Sequence, residues 1–348
     1  MTEKIHIYYF DFLKIIAILM VLFNHTDGCY LFTDRQNSIM FLPYLLIYIC
    51  VKMAVPLFFM ISGALLLGKE EKYSKVLFYR VFRFICILLI VSLILYIYKI
   101  HFDFSKFSLQ DFLTITYSKK MSVGLWYLYS YIGYLIMLPL LRNMVKHFSK
   151  ADFIYFVAFY IVLTGFVPII QYIVSGGSVN ISTYFRTPIF AQNIFFPIAG
   201  YCINSNELLG NPKKSDIYIT IAIGLFSICA TAFMICYQKH VEGAFKETFS
   251  ETLTSIHTCI FFMLVKYKFQ KHQISNVTKQ ILSFFGRLTF GIYLFEQVYR
   301  DVTKPVLYFC LKYMKSMPAY MLWVLCATLF GALISYILKK IPVINKFI

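Results

Sequence analysis

Ten times along the chain the sequence stays apolar for roughly the 20 residues a helix needs to cross a bilayer. The runs fall near 9–31, 41–67, 78–99, 125–144, 153–174, 188–203, 216–237, 252–268, 282–300 and 318–338. The sixth is the shortest and is interrupted by Pro188 and Pro197. In lipid every backbone N–H and C=O must find a partner within the protein, which leaves a helical bundle as the expected fold. The expectation is an all-α, multi-pass protein of the cell membrane with about ten transmembrane helices. Its 348 residues, 60% hydrophobic and only 14% charged, carry too little charge to cover a soluble domain. No linker or low-complexity tract breaks the pattern, so residues 1–348 read as a single domain.

An even number of crossings puts both termini on one side. Loops on that side carry about 20 of the 33 Lys and Arg residues and those opposite about 12, which predicts cytoplasmic termini. The net charge of +17 is scattered between apolar runs as topology signals, so nucleic acid is not an expected partner; the bilayer is. The nine cysteines are dispersed and lack metal or redox spacing, so no metal is expected. The first run carries internal charges and no small-residue cleavage site, which reads as a retained span. Residues 100–124 mix apolar and charged positions, as an amphipathic helix lying along the outer interface does.

The first run reads YFDFLKIIAILMVLFNH from Tyr9 to His25. Lys14 and His25 stand 11 residues apart, about 20° past three full turns, so they share a helix face about 16 Å apart along the axis. Asp11, three residues before Lys14, joins that stripe, and Asn24 adds a polar group beside the histidine. Ionisable groups inside a span are costly and generally face the bundle interior or a wet cavity. Lys52, inside the second run, belongs to the same class, but the sequence offers it no partner.

Further along, RVFR places Arg80 and Arg83 at the cytoplasmic start of the third run. Two guanidiniums there suit a phosphate or pyrophosphate, and equally suit plain anchoring at the membrane surface. Before them, Pro56, Ser62 and Gly63 thin the second helix and allow a ligand or another helix to approach. Tyr127, Tyr131 and Tyr134 form a stripe beside Trp126, either an aromatic wall for a glycan or bundle packing. Glu296, about 15 residues into the ninth run, either serves a site or pairs with Arg300 four residues on.

Together, DFLKIIAILMVLFNH, VPLFFMISGALL followed by RVFR, LWYLYSYIGYLIMLPLL and LTFGIYLFEQ resemble the acyltransferase 3 family of integral-membrane acyltransferases across nearly the whole chain. The resemblance implies transfer of an acyl group, often acetyl, from cytoplasmic acyl-CoA to a hydroxyl of an extracytoplasmic or lipid-linked envelope glycan. It implies acyl-CoA as co-substrate, with no permanently bound cofactor. It carries His25 over as the catalytic residue and Lys14, Arg80 and Arg83 as the basic donor-binding positions, with Asp11 and Asn24 in support. Trp126, Tyr127 and Glu296 are the candidates for the acceptor. The sequence departs from many relatives in having Lys14 for arginine, and Phe295, Glu296 and Gln297 where a histidine is common. His25 suits either a general base for the attacking hydroxyl or a transiently acylated nucleophile. A carrier or flippase for a glycan precursor is the competing expectation, though no internal repeat supports it.

Overall fold

The computed structural model describes residues 6–35, 38–118, 121–176, 191–205, 214–247 and 249–345. Among these residues every regular element is helical. Six helical stretches among the described residues are long and apolar enough to cross a membrane: Phe41–Leu66, Tyr73–Lys99, Val123–Lys146, Lys150–Val174, Lys214–Glu242 and Ser316–Lys339. The chain is a multi-pass membrane protein. It divides into two compact units, one of residues 1–69 and 141–283 and the other of residues 70–140 and 284–348.

The first unit is built around Tyr8–Asn24, a helix with no exposed residue along its length. At 17 residues it rises about 26 Å. The second apolar run is not one helix. It breaks at Lys52 and Met53 into Phe41–Val51 and Ala54–Leu66. Ala54–Leu66 then packs backbone to backbone on Gln192–Asn204: a Cβ at Gly63 would stand 1.9 Å from the Pro197 carbonyl oxygen, and one at Gly200 would stand 2.1 Å from that of Met60. The approach expected at Gly63 is therefore made by another helix. Gln192–Asn204 has only 13 residues and nine of them are buried, so this short, proline-interrupted segment sits inside the unit without a lipid-length apolar face. Pro188 lies outside the described residues. Lys266 donates to the carbonyls of Ile203 at 2.7 Å and Asn204 at 3.0 Å, placing a cation on the negative end of that helix.

In the second unit the third run begins with a π-helical turn, Val76–Val81, that continues as Phe82–Lys99. The ninth run also breaks. Asn276–Leu294 ends before Phe295, and a new helix runs from Glu296 to Tyr313. Residues 301–313, expected as part of an outer loop, are therefore helical. Their sequence, DVTKPVLYFCLKY, is too polar to register as a span, yet Leu307 and Cys310 pack against Ala319 and Trp323 of the last long helix, and the Trp323 indole donates to Thr303 at 3.0 Å. Within the 100–124 segment, Leu109–Ser118 is a helix that buries only Phe112 and Thr116 and leaves Leu109, Leu113 and Tyr117 exposed, as an amphipathic reading requires.

Candidate functional site

In the first unit the polar stripe of Tyr8–Asn24 starts at Asp11, whose side chain is 3% exposed. Burying a carboxylate demands partners, and two flank it. Lys14 donates to Oδ1 at 3.1 Å, and the His6 ring lies 2.5 Å from Oδ2. His6 is itself 3.3 Å from the Ser283 hydroxyl. Tyr9, on the same turn, donates to the Asn204 side chain, so the helix entrance is tied to neighbouring chain on two sides. The structure thus brings Asp11 and Lys14 together and adds His6, which precedes the helix and so falls outside any helical spacing rule.

The other end of the stripe is His25, the residue that stops the helix. Its backbone N–H bonds the carbonyls of Val21 and Leu22, and its φ of −93° and ψ of 16° leave the helical region. The imidazole is half-buried. Asn24 accepts from the Cys29 thiol at 3.6 Å, and the Thr26 hydroxyl donates to Phe23 at 2.7 Å, which turns the chain into the 3₁₀ segment Asp27–Tyr30. The break at Lys52 now has a reason. Its ammonium lies 3.5 Å from Glu247 and 4.8 Å over the Tyr48 ring, and Tyr30 donates to the same carboxylate oxygen. The Tyr30 hydroxyl first, and then the Lys52 charge, hold the Glu247 carboxyl below its usual value against partial burial. No sequence rule could pair Lys52 with a residue 195 positions away.

In the second unit Arg80 falls within the π-helical turn and Arg83 just beyond it. A π-turn re-aims side chains relative to an α-helix and recurs at functional sites. Arg80 makes a side-on, two-bond pair with Glu71, Nε to Oε2 at 2.9 Å and Nη2 to Oε1 at 2.8 Å; Lys75 stands 3.7 Å from Oε1. That pair occupies two of the five guanidinium N–H donors and fixes the plane of the group. Arg83 is half-buried. Glu71 escaped the sequence reading because it precedes the helix by a turn of chain.

The tyrosine stripe is a ladder of rings. Tyr127 stacks on Tyr131 at 5.7 Å, Tyr131 meets Tyr134 at 5.7 Å, and Phe84 lies 4.8 Å from Tyr131. Tyr293 closes it against Tyr127 at 5.5 Å and donates to the Gly124 carbonyl at 2.9 Å. Tyr134 is fully buried, as packing requires, and lies within electrostatic reach of Arg80. Trp126, by contrast, is 39% exposed. Glu296 opens the helix after the Phe295 break and is 2% exposed. Arg300 donates to it at 2.6 Å, the pairing that the four-residue spacing allows.

The acyltransferase 3 model, described as an acyltransferase domain, matches residues 7–340. The chain belongs to the acyltransferase 3 family. No curated protein and no solved structure matches it significantly. An acyl-CoA co-substrate accords with that family. Among the described residues no grouping of His, Cys, Asp and Glu has the arrangement of a metal site.

Proposed function

We propose that this acyltransferase 3 family member moves an acetyl group from cytoplasmic acetyl-CoA to a hydroxyl of an extracytoplasmic or lipid-linked envelope glycan. The observation that carries this reading is the charged stripe on a helix without an exposed residue: the Asp11–Lys14 pair, with its carboxylate buried, at one end and His25 at the other. A non-catalytic membrane partner has little reason to hold these groups in register, at the cost that ionisable groups in a span incur.

In this reading Arg80, Arg83 and Lys14 serve the anionic head of the donor. Glu71 keeps the Arg80 fork oriented and leaves three of its N–H donors for phosphate oxygens. His25 accepts the proton of the acceptor hydroxyl as its oxygen attacks the thioester carbonyl. The C–O bond forms, the C–S bond breaks, and the proton passes to the departing CoA sulfur, so nothing is oxidised or reduced. A histidine acylated in passing satisfies the same balance in two steps. Tyr127, Trp126 and Glu296 are assigned to the acceptor, and Asn24 and Asp11 to support.

The direct test incubates the purified protein with radiolabelled acetyl-CoA and a cell-envelope glycan extract; label is expected in the glycan. Label confined to acetyl-CoA, with glycan precursor carried across vesicles instead, favours a flippase.

Two further outcomes check the assignment. Arg83→Gln is the cleaner donor variant, because Arg80→Gln also removes the two-bond pair from Glu71, whose side chain is only 10% exposed. Losing one charged hydrogen-bonding partner lowers acetyl-CoA affinity about 10- to 150-fold. Unchanged affinity in both variants returns the arginines to surface anchoring. The orientation, with both termini and the donor mouth cytoplasmic and about ten crossings, is tested on Tyr117, which is 95% exposed. Cysteine placed there in a cysteine-free background is expected to react with an impermeant maleimide in intact cells. Labelling only after permeabilisation reverses the orientation. Ser178 lies outside the described residues.

A further inference from the structure

The first unit holds a second polar cluster that the donor chemistry does not use. Tyr30 stands on the 3₁₀ turn five residues past His25, and its hydroxyl donates to Glu247 Oε1. Lys52 reaches the same Oε1. Among the described residues the hydrogen bonds to this carboxylate fall on Oε1, and the side chain is 59% exposed. Around it stand aromatic rings. Tyr30 lies 5.7 Å from Tyr48, Phe32 lies 4.9 Å from Tyr48 and 5.1 Å from Phe245, and Tyr30 is 39% exposed. An ionised acceptor atom, an ammonium and an open aromatic ring are the parts that recognise a hydroxyl-bearing ring: hydrogen bonds fix the hydroxyls and the apolar ring covers the C–H face.

The charges narrow the ligand further. In this cluster Lys52, Lys239 and Lys246 are balanced by Glu242, Glu247 and Glu251, with Lys246 paired to Glu242 and Gln192 donating to Glu251 at 3.4 Å. Among the described residues these cations and carboxylates match one for one, which gives no excess of positive charge to favour a phosphate or a uronic acid. We infer that the Tyr30–Lys52–Glu247 cluster is a further acceptor-recognition site, in addition to the positions assigned to the acceptor above, and that it takes a neutral, hydroxyl-rich sugar, with Glu247 Oε2 accepting from a sugar hydroxyl and the Tyr30 ring covering the sugar face. The inference rests on the acyl-transfer reading and supplies its missing half, the acceptor class. Glu247 is a specificity and positioning residue; it takes no proton in the transfer.

The test separates the cell-envelope glycan extract into neutral and acidic fractions by anion exchange and assays each with labelled acetyl-CoA. Label is expected in the neutral fraction. In Glu247→Gln, which keeps the shape of the side chain and loses its charge, the half-saturating concentration of the neutral glycan rises about tenfold or more while that of acetyl-CoA stays put. Tyr30→Phe, which keeps the ring and loses the hydroxyl, shifts it in the same direction by less. Transfer only to the acidic fraction overturns the inference, as does wild-type half-saturation in Glu247→Gln. A fall in thermal stability with equal shifts for both substrates makes the cluster a structural latch and overturns it too. In each of these cases the wild-type protein still transfers acetyl, so the acyl-transfer reading survives. If the wild-type protein transfers none, both fall together.

Discussion

Alanine at His25 is expected to abolish acyl transfer, by 10²–10⁴-fold, while acetyl-CoA affinity stays within a few-fold of wild type. The separation follows from the roles. In the proposed reaction the donor is held through its phosphates, and the imidazole acts on the hydroxyl and the thioester. Folding is expected to survive because His25 ends its helix through its backbone N–H, bonded to Val21 and Leu22, and alanine keeps that group. Turnover should therefore be measured per folded molecule, alongside thermal stability. A histidine kept for packing behaves in the opposite way, with lower yield and an earlier melting transition but unimpaired turnover in what remains folded. Substantial activity in His25→Ala removes the proposed chemistry. If His25 is instead acylated in passing, brief incubation of the wild-type protein with labelled acetyl-CoA and no acceptor leaves label on the protein, and His25→Ala does not take it up.

The second large effect is structural. Gly63→Ala adds a single carbon, but that carbon would lie 1.9 Å from the Pro197 oxygen and 2.4 Å from Pro197 Cα. Backbone stands on the receiving side, so no rotamer change relieves the clash. The two helices must separate by more than about 1 Å, and close packing is lost along their crossing. Overpacking typically costs 1–3 kcal/mol, and the rigid neighbour places this site at the top of that range, about 3 kcal/mol. Gly200→Ala meets the Met60 backbone at 2.1 Å and is expected to match it. Gly68→Ala is the control: its nearest neighbour is the Tyr201 ring at 3.2 Å, the movable end of a side chain. Thermal unfolding in detergent should show Gly63→Ala and Gly200→Ala melting well below wild type and Gly68→Ala close to it. A Gly63→Ala protein as stable as wild type contradicts the contact.

Much of this protein follows from local chemistry. An apolar run of membrane length must be helical wherever it meets lipid, so the all-helical, multi-pass character was legible from hydropathy alone. The same local rules placed Asp11 beside Lys14 and Glu296 beside Arg300, since residues three or four apart on a helix are neighbours whatever surrounds them. Family membership was legible too, because the motifs that carry it are short and keep their order.

What only the tertiary structure decided lies where helices break or meet. Hydropathy averages over a run, so it could not register the break at Lys52 and Met53, the break at Phe295, or the π-turn that carries Arg80. Each leaves composition unchanged and alters the direction of one or two side chains. The polar helix after Phe295 was invisible for the converse reason: it is held by the neighbour that buries Leu307 and Cys310, not by its own apolarity. Partners distant in sequence, such as Glu247 for Lys52 and Pro197 for Gly63, follow no spacing rule at all. A buried charge shows in sequence because lipid makes it rare. The group that compensates it appears only when the fold brings the two together, and the need for that compensation comes from the low dielectric around the charge rather than from any local signal.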